Sequence, residues 1–316
     1  MRTRSGAGGF LRLCALLFVL GLLASRVGVV LHELAGHYGV ARAFGCSLTG
    51  LRLFLFGGGF VDYACPPLAP AAQLATELGG IGVQAGIGAA LVLLARRLVR
   101  GTWPRLVVAS IGALFVLHGL FYLVTGVHYG VGDGRSLHIL LGAARGAPVA
   151  AGSGLLVLGC FVAARGLAGL LAPWLPRAGA AARAAFALAA IAVAAALHGA
   201  AFLAEQRVLA DATYAESFRP QAAVEVEREL RRFEREQPRP PEAIAARRRV
   251  LEAQHAPFPL RPVLGAAMGA AALAGLWLGL RNAPPGAGEA PRRALVPVAA
   301  LCAGAEAVVV ALDRLF

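Results

Sequence analysis

Residues 13–37 read LCALLFVLGLLASRVGVVLHELAGH. The stretch begins as almost uninterrupted apolar sequence and ends with two histidines and a glutamate. About twenty apolar residues are enough to cross the hydrocarbon core of a bilayer as a helix. Ionisable side chains at membrane depth are costly and are usually retained for function. The stretch therefore predicts a transmembrane helix that carries chemistry at one end.

The rest of the chain has the same apolar character. Apolar residues make up 58% of its 316 residues and charged residues only 15%, whereas soluble proteins carry about 25% charge; the mean hydropathy is +0.69. We therefore predict an all-α polytopic membrane protein with about six to seven transmembrane helices. The apolar runs lie at roughly 13–31, 68–95, 106–127, 149–171, 184–204, 260–280 and 294–312.

The net charge of +13 does not indicate a nucleic-acid partner. The arginines stand mostly at the ends of apolar runs, where they anchor spans at the interface, and no basic surface interleaved with aromatics is present. The lipid bilayer is the expected partner. If the spans alternate, the N-terminal side receives twelve arginines: Arg2, Arg4, Arg12, Arg96, Arg97, Arg100, Arg105, Arg177, Arg183, Arg281, Arg292 and Arg293. The other side receives five outside its long loop, namely Arg42, Arg52, Arg135, Arg145 and Arg314, which favours a cytoplasmic N-terminus.

A short segment after the first span differs from the apolar runs. Residues 47–64 alternate bulky side chains on both sides of a Gly57-Gly58-Gly59 turn, which predicts a β-hairpin lying at the membrane surface or dipping into it. Cys46 and Cys65 flank the hairpin, and an oxidising compartment would allow them to form a disulfide. We interpret them instead as small apolar residues, which is the commoner use of cysteine in a membrane protein.

Segment 205–259 is the only sizeable polar piece, with ten of the seventeen acidic residues. Val226, Leu230 and Phe233 follow helical spacing, so we predict an amphipathic helix over 220–236, then a proline break and a second short helix to about Gln254. The predicted organisation is a membrane-embedded metalloprotease-like core over 1–148, additional transmembrane helices over 149–204, this extramembrane helical segment over 205–259, and C-terminal transmembrane helices over 260–316.

The sequence His32-Glu33-Leu34-Ala35-Gly36-His37 is one residue longer than the H-E-x-x-H motif. In the shorter motif, histidines at i and i+4 bind zinc on one helix face and the glutamate activates water. His32 and His37 are at i and i+5, about 140° apart on an ideal α-helix instead of about 40°. A π-bulge, eased by Gly36, would return both histidines to one face. Alternatively, Glu33 and His37 share the metal while His32 takes another role, or the site binds no metal.

A third ligand is expected from another part of the chain. Asp133, between Gly132 and Gly134 after the third span, suits a hard oxygen-donating ligand, although Gly-Asp-Gly alone is ordinary turn sequence. Combined with the histidine motif, we favour Asp133 as the ligand, with His128 and His138 as substitutes. We predict that three further residues line the site or bind substrate: Gln84, Glu77 and His128. Capping the start of a span is an equal alternative for Glu77.

These motifs together resemble the site-2 protease family of intramembrane zinc metalloproteases. Val30–Gly59 resembles the family's opening, in which H-E-x-G-H precedes a surface hairpin, and Gly132-Asp133-Gly134 resembles its L-D-G motif. Residues 78–84 resemble its G-P-x-x-N span, with Ile81 and Gln84 in place of Pro and Asn. The resemblance covers roughly 13–145. The departures are the extra Ala35, and Thr125 and His128 where the family often has Asn and Pro.

The resemblance implies an intramembrane zinc metallopeptidase that cleaves peptide bonds of membrane-spanning protein substrates. It implies His32, His37 and Asp133 as ligands of Zn2+, and Glu33 as the catalytic base that activates a zinc-bound water. The alternative, suggested by Ala35, is a catalytically inactive pseudoprotease-like protein that binds a membrane partner. A multi-pass protein of the bacterial inner membrane is expected. The family commonly places its motif toward the cytoplasm, in conflict with the arginine count, and we give the motif order precedence.

Overall fold

The long apolar runs form helices because, inside a bilayer, each backbone N–H and C=O group must find a partner within its own segment. The computed structural model of the protein describes residues 6–209, 211–236, 240–284 and 292–315. Within these ranges, seven helical stretches are long and apolar enough to cross a membrane. The predicted all-α polytopic fold with a small β-hairpin is confirmed, and the chain is an integral multi-pass membrane protein.

The first half of the chain contains the elements that carry the predicted motifs. Helix α1 continues directly into a π-helical turn and then into α2, and a two-stranded hairpin separates α2 from the next long helices. The bounds are α1 Gly6–Val30, the π-helical turn Leu31–Tyr38, α2 Gly39–Ala43, β1 Ser47–Leu53, β2 Gly59–Ala64, α3 Pro70–Arg97, α4 Thr102–Tyr129, a 3-10 turn Gly132–Gly134 and α5 Arg135–Leu141.

The second half supplies further membrane helices and the polar segment that the sequence predicts to be extramembrane. Its bounds are α6 Gly146–Leu171, α7 Ala180–Leu209, α8 Ala212–Ser217, α9 Gln221–Glu236, α10 Pro241–His255, α11 Leu260–Arg281 and α12 Arg292–Leu315. Val226 and Leu230 of α9 are buried with Leu251 of α10, so the predicted amphipathic helix packs its apolar face on its neighbour. Arg248 of α10 also pairs with Glu227 of α9 at 2.6 Å.

Glycines permit the close helix packing that fixes the membrane bundle. A Cβ atom on Gly88 of α3 would lie 2.7 Å from the Gly112 carbonyl oxygen of α4, and a Cβ on Gly112 would lie equally close to the Gly88 oxygen. Membrane helices associate largely through such small-residue contacts, since lipid tails are as apolar as leucine. The α3–α4 pair is therefore held at short range, and this pair flanks the histidine motif.

The hairpin pairs β1 and β2 antiparallel, with Ser47 opposite Ala64 and a bulge between Leu48 and Gly50. This register brings the flanking Cys46 and Cys65 together, and they form a disulfide. The interpretation of these cysteines as unpaired apolar residues was therefore wrong. It failed because two residues that are 19 apart in sequence become direct neighbours only through strand pairing.

Two membrane helices hold the turn of the hairpin through its backbone. Arg26 of α1 is fully buried and donates hydrogen bonds to the carbonyl oxygens of Phe54 and Gly57. The Glu205 carboxylate at the end of α7 accepts hydrogen bonds from the backbone N–H groups of Leu55, Phe56 and Gly57. Because both the donors and the acceptors of the turn are satisfied by charged side chains, the hairpin is fixed against α1 and α7.

Candidate metal centre

The π-helical turn resolves the irregular spacing of the histidine motif. The Gly39 N–H bonds to the Leu34 carbonyl five residues earlier, and the extra Ala35 faces outward and is exposed. His32 and His37 are both buried, at 8% exposure, and their Nε2 atoms are 3.2 Å apart. The wide turn that the sequence allowed is therefore observed, and it places both histidines on one face.

Asp133 completes the group from the end of α4. Its Oδ2 atom lies 3.0 Å from His32 Nε2 and 3.2 Å from His37 Nε2. The chain turns sharply after α4, and Gly134 packs so closely on that helix that a Cβ atom would lie 2.6 Å from the Gly126 Cα atom. The glycine beside the aspartate is thus explained by close approach of two backbones.

The second nitrogen of each ring faces a hydrogen-bond acceptor. His37 Nδ1 is 2.9 Å from the Thr76 carbonyl oxygen, and His32 Nδ1 is 3.2 Å from Gln84 Oε1. A neutral histidine that donates through Nδ1 keeps a lone pair on Nε2. With both rings neutral and donating through Nδ1, two nitrogen lone pairs would point toward the buried Asp133 Oδ2. Such a cluster of electron pairs requires a cation or protons.

The three atoms have the dimensions that a zinc ion needs. The triangle with sides of 3.0, 3.2 and 3.2 Å has a circumradius of about 1.8 Å, so a point at the zinc–ligand distance of about 2.0–2.1 Å lies about 1 Å above its plane. Two imidazoles and a carboxylate are also a known catalytic zinc donor set. His32, His37 and Asp133 therefore form a group that can hold a metal ion.

Glu33 belongs to the same buried region. It lies within the π-helical turn, is only 6% exposed, and lies within electrostatic range of His32, His37 and Asp133. A carboxylate in this position can exchange protons with a water molecule at the three-ligand group. The predicted catalytic base thus stands beside the predicted ligands.

Gly80 of α3 is a site residue that sequence reasoning missed. A Cβ atom at this position would lie 2.6 Å from Nε2 of His32 and 2.6 Å from Nε2 of His37. Gly36 of the π-helical turn is its counterpart, since a Cβ there would lie 2.8 Å from the Gly80 nitrogen. The Leu78–Gln84 pattern contained the signal for Gly80, but its meaning depended on the distance between α3 and the turn.

Aromatic side chains cover the group on the side of the extramembrane segment. The Tyr122 ring lies 6.0 Å from the His32 ring and 6.2 Å from the Phe218 ring. Tyr214 of α8 contacts both Phe218 and Phe54 of the hairpin turn, each at 4.7 Å between ring centroids. Burial raises the pKa of Tyr214 to about 12, so its hydroxyl stays protonated at neutral pH. No local sequence signal linked α8 to the histidine motif.

A groove of about 480 Å³ adjoins this cover at Phe218. The rest of its lining comes from α9, α10, the ends of α4 and α11, and the connections on either side of α9–α10, and it includes Tyr129, His255 and Arg261. Phe218 is therefore shared between the groove and the aromatic cover of the metal group.

The other predicted site residues lie in different surroundings. Gln84 is brought into the centre, but it contacts His32 directly rather than lining a path. Glu77 accepts a hydrogen bond from Gln73 on its own helix, and His128 Nε2 is 2.8 Å from the Phe258 carbonyl oxygen. His138, the other substitute ligand, bonds to the Val127 carbonyl oxygen. The structure does not bring these three residues into the metal-binding group.

The described part of the chain thus combines a three-ligand group, a buried carboxylate and an aromatic cover at the end of one transmembrane helix. Three protein ligands leave a coordination position for water or substrate, which distinguishes catalytic from structural zinc sites. Comparisons of the chain with models of protein families, with curated proteins and with solved structures find no match.

Proposed function

We propose that this chain is an intramembrane zinc metallopeptidase of the site-2 protease type, which cleaves peptide bonds of membrane-spanning protein substrates in a bacterial inner membrane. One observation carries the proposal: His32 Nε2, His37 Nε2 and Asp133 Oδ2 converge within 3.2 Å of one another, beside the buried Glu33. An oxygen and two nitrogens at this spacing match the open zinc sites of metallohydrolases.

Each residue of the centre has a separate task in this proposal. His32 and His37 bind the ion through Nε2, and the Gln84 and Thr76 oxygens keep their Nδ1 atoms protonated and their rings oriented. When bound, zinc supplies a Lewis acid that polarises a peptide carbonyl and lowers the pKa of water to about 7. Glu33 takes the proton of the water that attacks the carbonyl carbon and returns it to the departing amide nitrogen.

The substrate has to reach this centre in an extended form. The carbonyl groups of a transmembrane helix are occupied by the helix's own hydrogen bonds, so a local unwinding must expose the scissile bond. Tyr214 and Phe218 of the aromatic cover are in ring contact, Phe218 also approaches Tyr122, and Phe218 lines the groove. We expect a bound substrate to displace these rings.

Metal content tests the proposal directly. We expect the purified full-length protein to contain one zinc per chain, and the His37→Ala and Asp133→Ala variants to contain none. His128→Ala is the matched control, because His128 contacts the Phe258 carbonyl and not the centre, and it is expected to keep its zinc. If the wild-type protein purified with zinc in the buffer contains no zinc, the pseudoprotease alternative is favoured.

Glu33→Gln separates metal binding from catalysis. The variant keeps the size of the side chain and all three ligands, so zinc content is expected to stay at the wild-type level while cleavage of fluorogenic transmembrane peptides in micelles is lost. Zinc binding without any cleavage in the wild-type protein would support the inactive, partner-binding alternative instead.

A further inference from the structure

The ends of the membrane helices divide the loops between two sides of the bilayer. With one crossing for each of the seven stretches, the β1–β2 hairpin, the Gly132–Gly134 turn and α8–α10 fall on one side, which we name the metal face. The connections 98–101 and 172–179 and residues 282–284 after α11 fall on the other side, the opposite face. Direct contacts support this division: Glu205 of α7 and Asp313 of α12 both bond to the hairpin backbone.

The metal centre lies close to the metal face. Gly80, which touches both histidines, is seventeen residues from the Arg97 end of α3, which is about 25 Å at 1.5 Å per residue. The hydrocarbon core is about 30 Å thick. The centre is therefore just inside the boundary where the hairpin and α8 lie, and far from the opposite face.

The disulfide indicates the compartment of the metal face. Cys46 and Cys65 are joined at the base of the hairpin on that face, whereas the free cysteines Cys14, Cys160 and Cys302 lie within membrane helices. Disulfides persist in oxidising compartments such as the periplasm and cell exterior, and thiols stay reduced in the cytosol. The cysteine pairing therefore places the metal face outside the cytoplasm.

The distribution of arginines is independent of the disulfide, and it also indicates that the metal face is outside the cytoplasm. In the described residues, the short connections and helix ends of the opposite face carry eight arginines, namely Arg12, Arg96, Arg97, Arg100, Arg105, Arg177, Arg183 and Arg281. Those of the metal face carry six outside its long segment, namely Arg42, Arg52, Arg135, Arg145, Arg261 and Arg314. Arginine-rich short loops face the cytoplasm.

We infer that the metal face is extracytoplasmic, so that the centre cuts its substrates at the extracytoplasmic end of their transmembrane spans. This orientation reverses the one that we favoured from the order of the family motifs. The substrate class rests on the proposed peptidase function, whereas the orientation stands on the disulfide, the arginines and the helix ends alone. It also makes α8–α10 the surface that meets the extracytoplasmic part of a substrate.

Two alanine-to-cysteine variants of the full-length protein test the orientation. Ala253 of α10 lies on the metal face and Ala178 on the opposite face, both are exposed, and neither exchange alters the arginine count. We expect a membrane-impermeant maleimide to label Ala253→Cys in intact cells and to label Ala178→Cys only after permeabilisation. Labelling of Ala178→Cys in intact cells, with or without labelling of Ala253→Cys, would overturn the inference.

The disulfide provides a second readout on the wild-type protein. After acid quenching of cells and denaturation, a mass-tagging maleimide is expected to modify three of the five cysteines without reductant and all five with it. Modification of all five without reductant would show that the hairpin is in a reducing compartment and would overturn the inference. Neither measurement depends on activity, so a reversed orientation would leave the peptidase proposal to be decided by zinc content.

Discussion

Gly80 offers the sharpest test of the metal centre, because its replacement disturbs the centre while all three proposed ligands remain in the chain. In Gly80→Ala, the added Cβ atom would lie 2.6 Å from Nε2 of both His32 and His37. An ordinary contact at this atom pair begins at 3.4 Å, so the atoms are about 0.8 Å too close. A zinc site tolerates deviations of about 0.2 Å in its ligand distances. The two rings must therefore move by several times that tolerance.

We expect Gly80→Ala to weaken zinc binding by about 100-fold or more, which is the upper end of the effect of disturbing residues that orient metal ligands. A 100-fold change corresponds to about 2.7 kcal/mol. The assay is a competition between the purified full-length protein and a chromophoric zinc chelator. Thermal unfolding without zinc serves as a check of folding, since alanine is favoured over glycine in a helix by about 0.5–1 kcal/mol.

Gly82→Ala is the matched control, because it lies two residues further along the same helix and a Cβ atom there has no neighbour within 4 Å. It is expected to bind zinc as the wild type does. Wild-type zinc affinity in Gly80→Ala would refute the assignment of the two Nε2 atoms as ligands. Loss of zinc in both variants would show instead that α3 does not tolerate substitution and would remove the distinction on which the test depends.

Three further perturbations follow from the same contacts. Deleting the exposed Ala35 closes the wide turn and leaves the histidines at i and i+4, about 40° apart, so zinc content is expected to persist; its loss would show that the wide turn itself is required. Gln84→Ala removes the acceptor of the His32 Nδ1 proton and is expected to weaken zinc binding about 10–100-fold, as measured by the same chelator competition. Glu205→Ala leaves three backbone N–H groups of the hairpin turn without their acceptor and is expected to cost about 2 kcal/mol of stability, seen as a lower unfolding midpoint in detergent. The exposed Glu234→Ala is its control, and an equal midpoint in both variants would contradict the bracing role.

The sequence was enough to identify the candidate metal ligands. It was not enough to show how their side chains come together in space. His32, His37 and Asp133 were identified from residue type, glycine context and position at the ends of apolar runs. The distance between His32 and His37 depended on whether the helix widens by one residue, which no local periodicity specifies. Gly36 allows the helix to widen at this turn. The close contact between Gly36 and Gly80 of α3 became known only from the tertiary structure.

The contacts that hold the hairpin and cover the centre were beyond sequence reasoning for a different reason. Glu205 bonds to the Leu55 N–H across 150 residues of chain, and Tyr214 reaches Phe54 across a similar separation. The helix over 220–236 was predicted correctly, but helical periodicity describes one face of one segment. It carries no information about which distant backbone that face will meet.

By itself, the sequence determined the membrane-spanning architecture, because a bilayer requires each span to be long, apolar and internally hydrogen-bonded, and these are local properties. It also determined which side chains can bind a metal, because donor chemistry belongs to the residue. Only the tertiary structure decided that His32 and His37 share a face, that Gly80 leaves room between them and α3, and that Cys46 pairs with Cys65. These outcomes depend on the close approach of separate backbones, and distances between separate elements are set only when the whole bundle has packed.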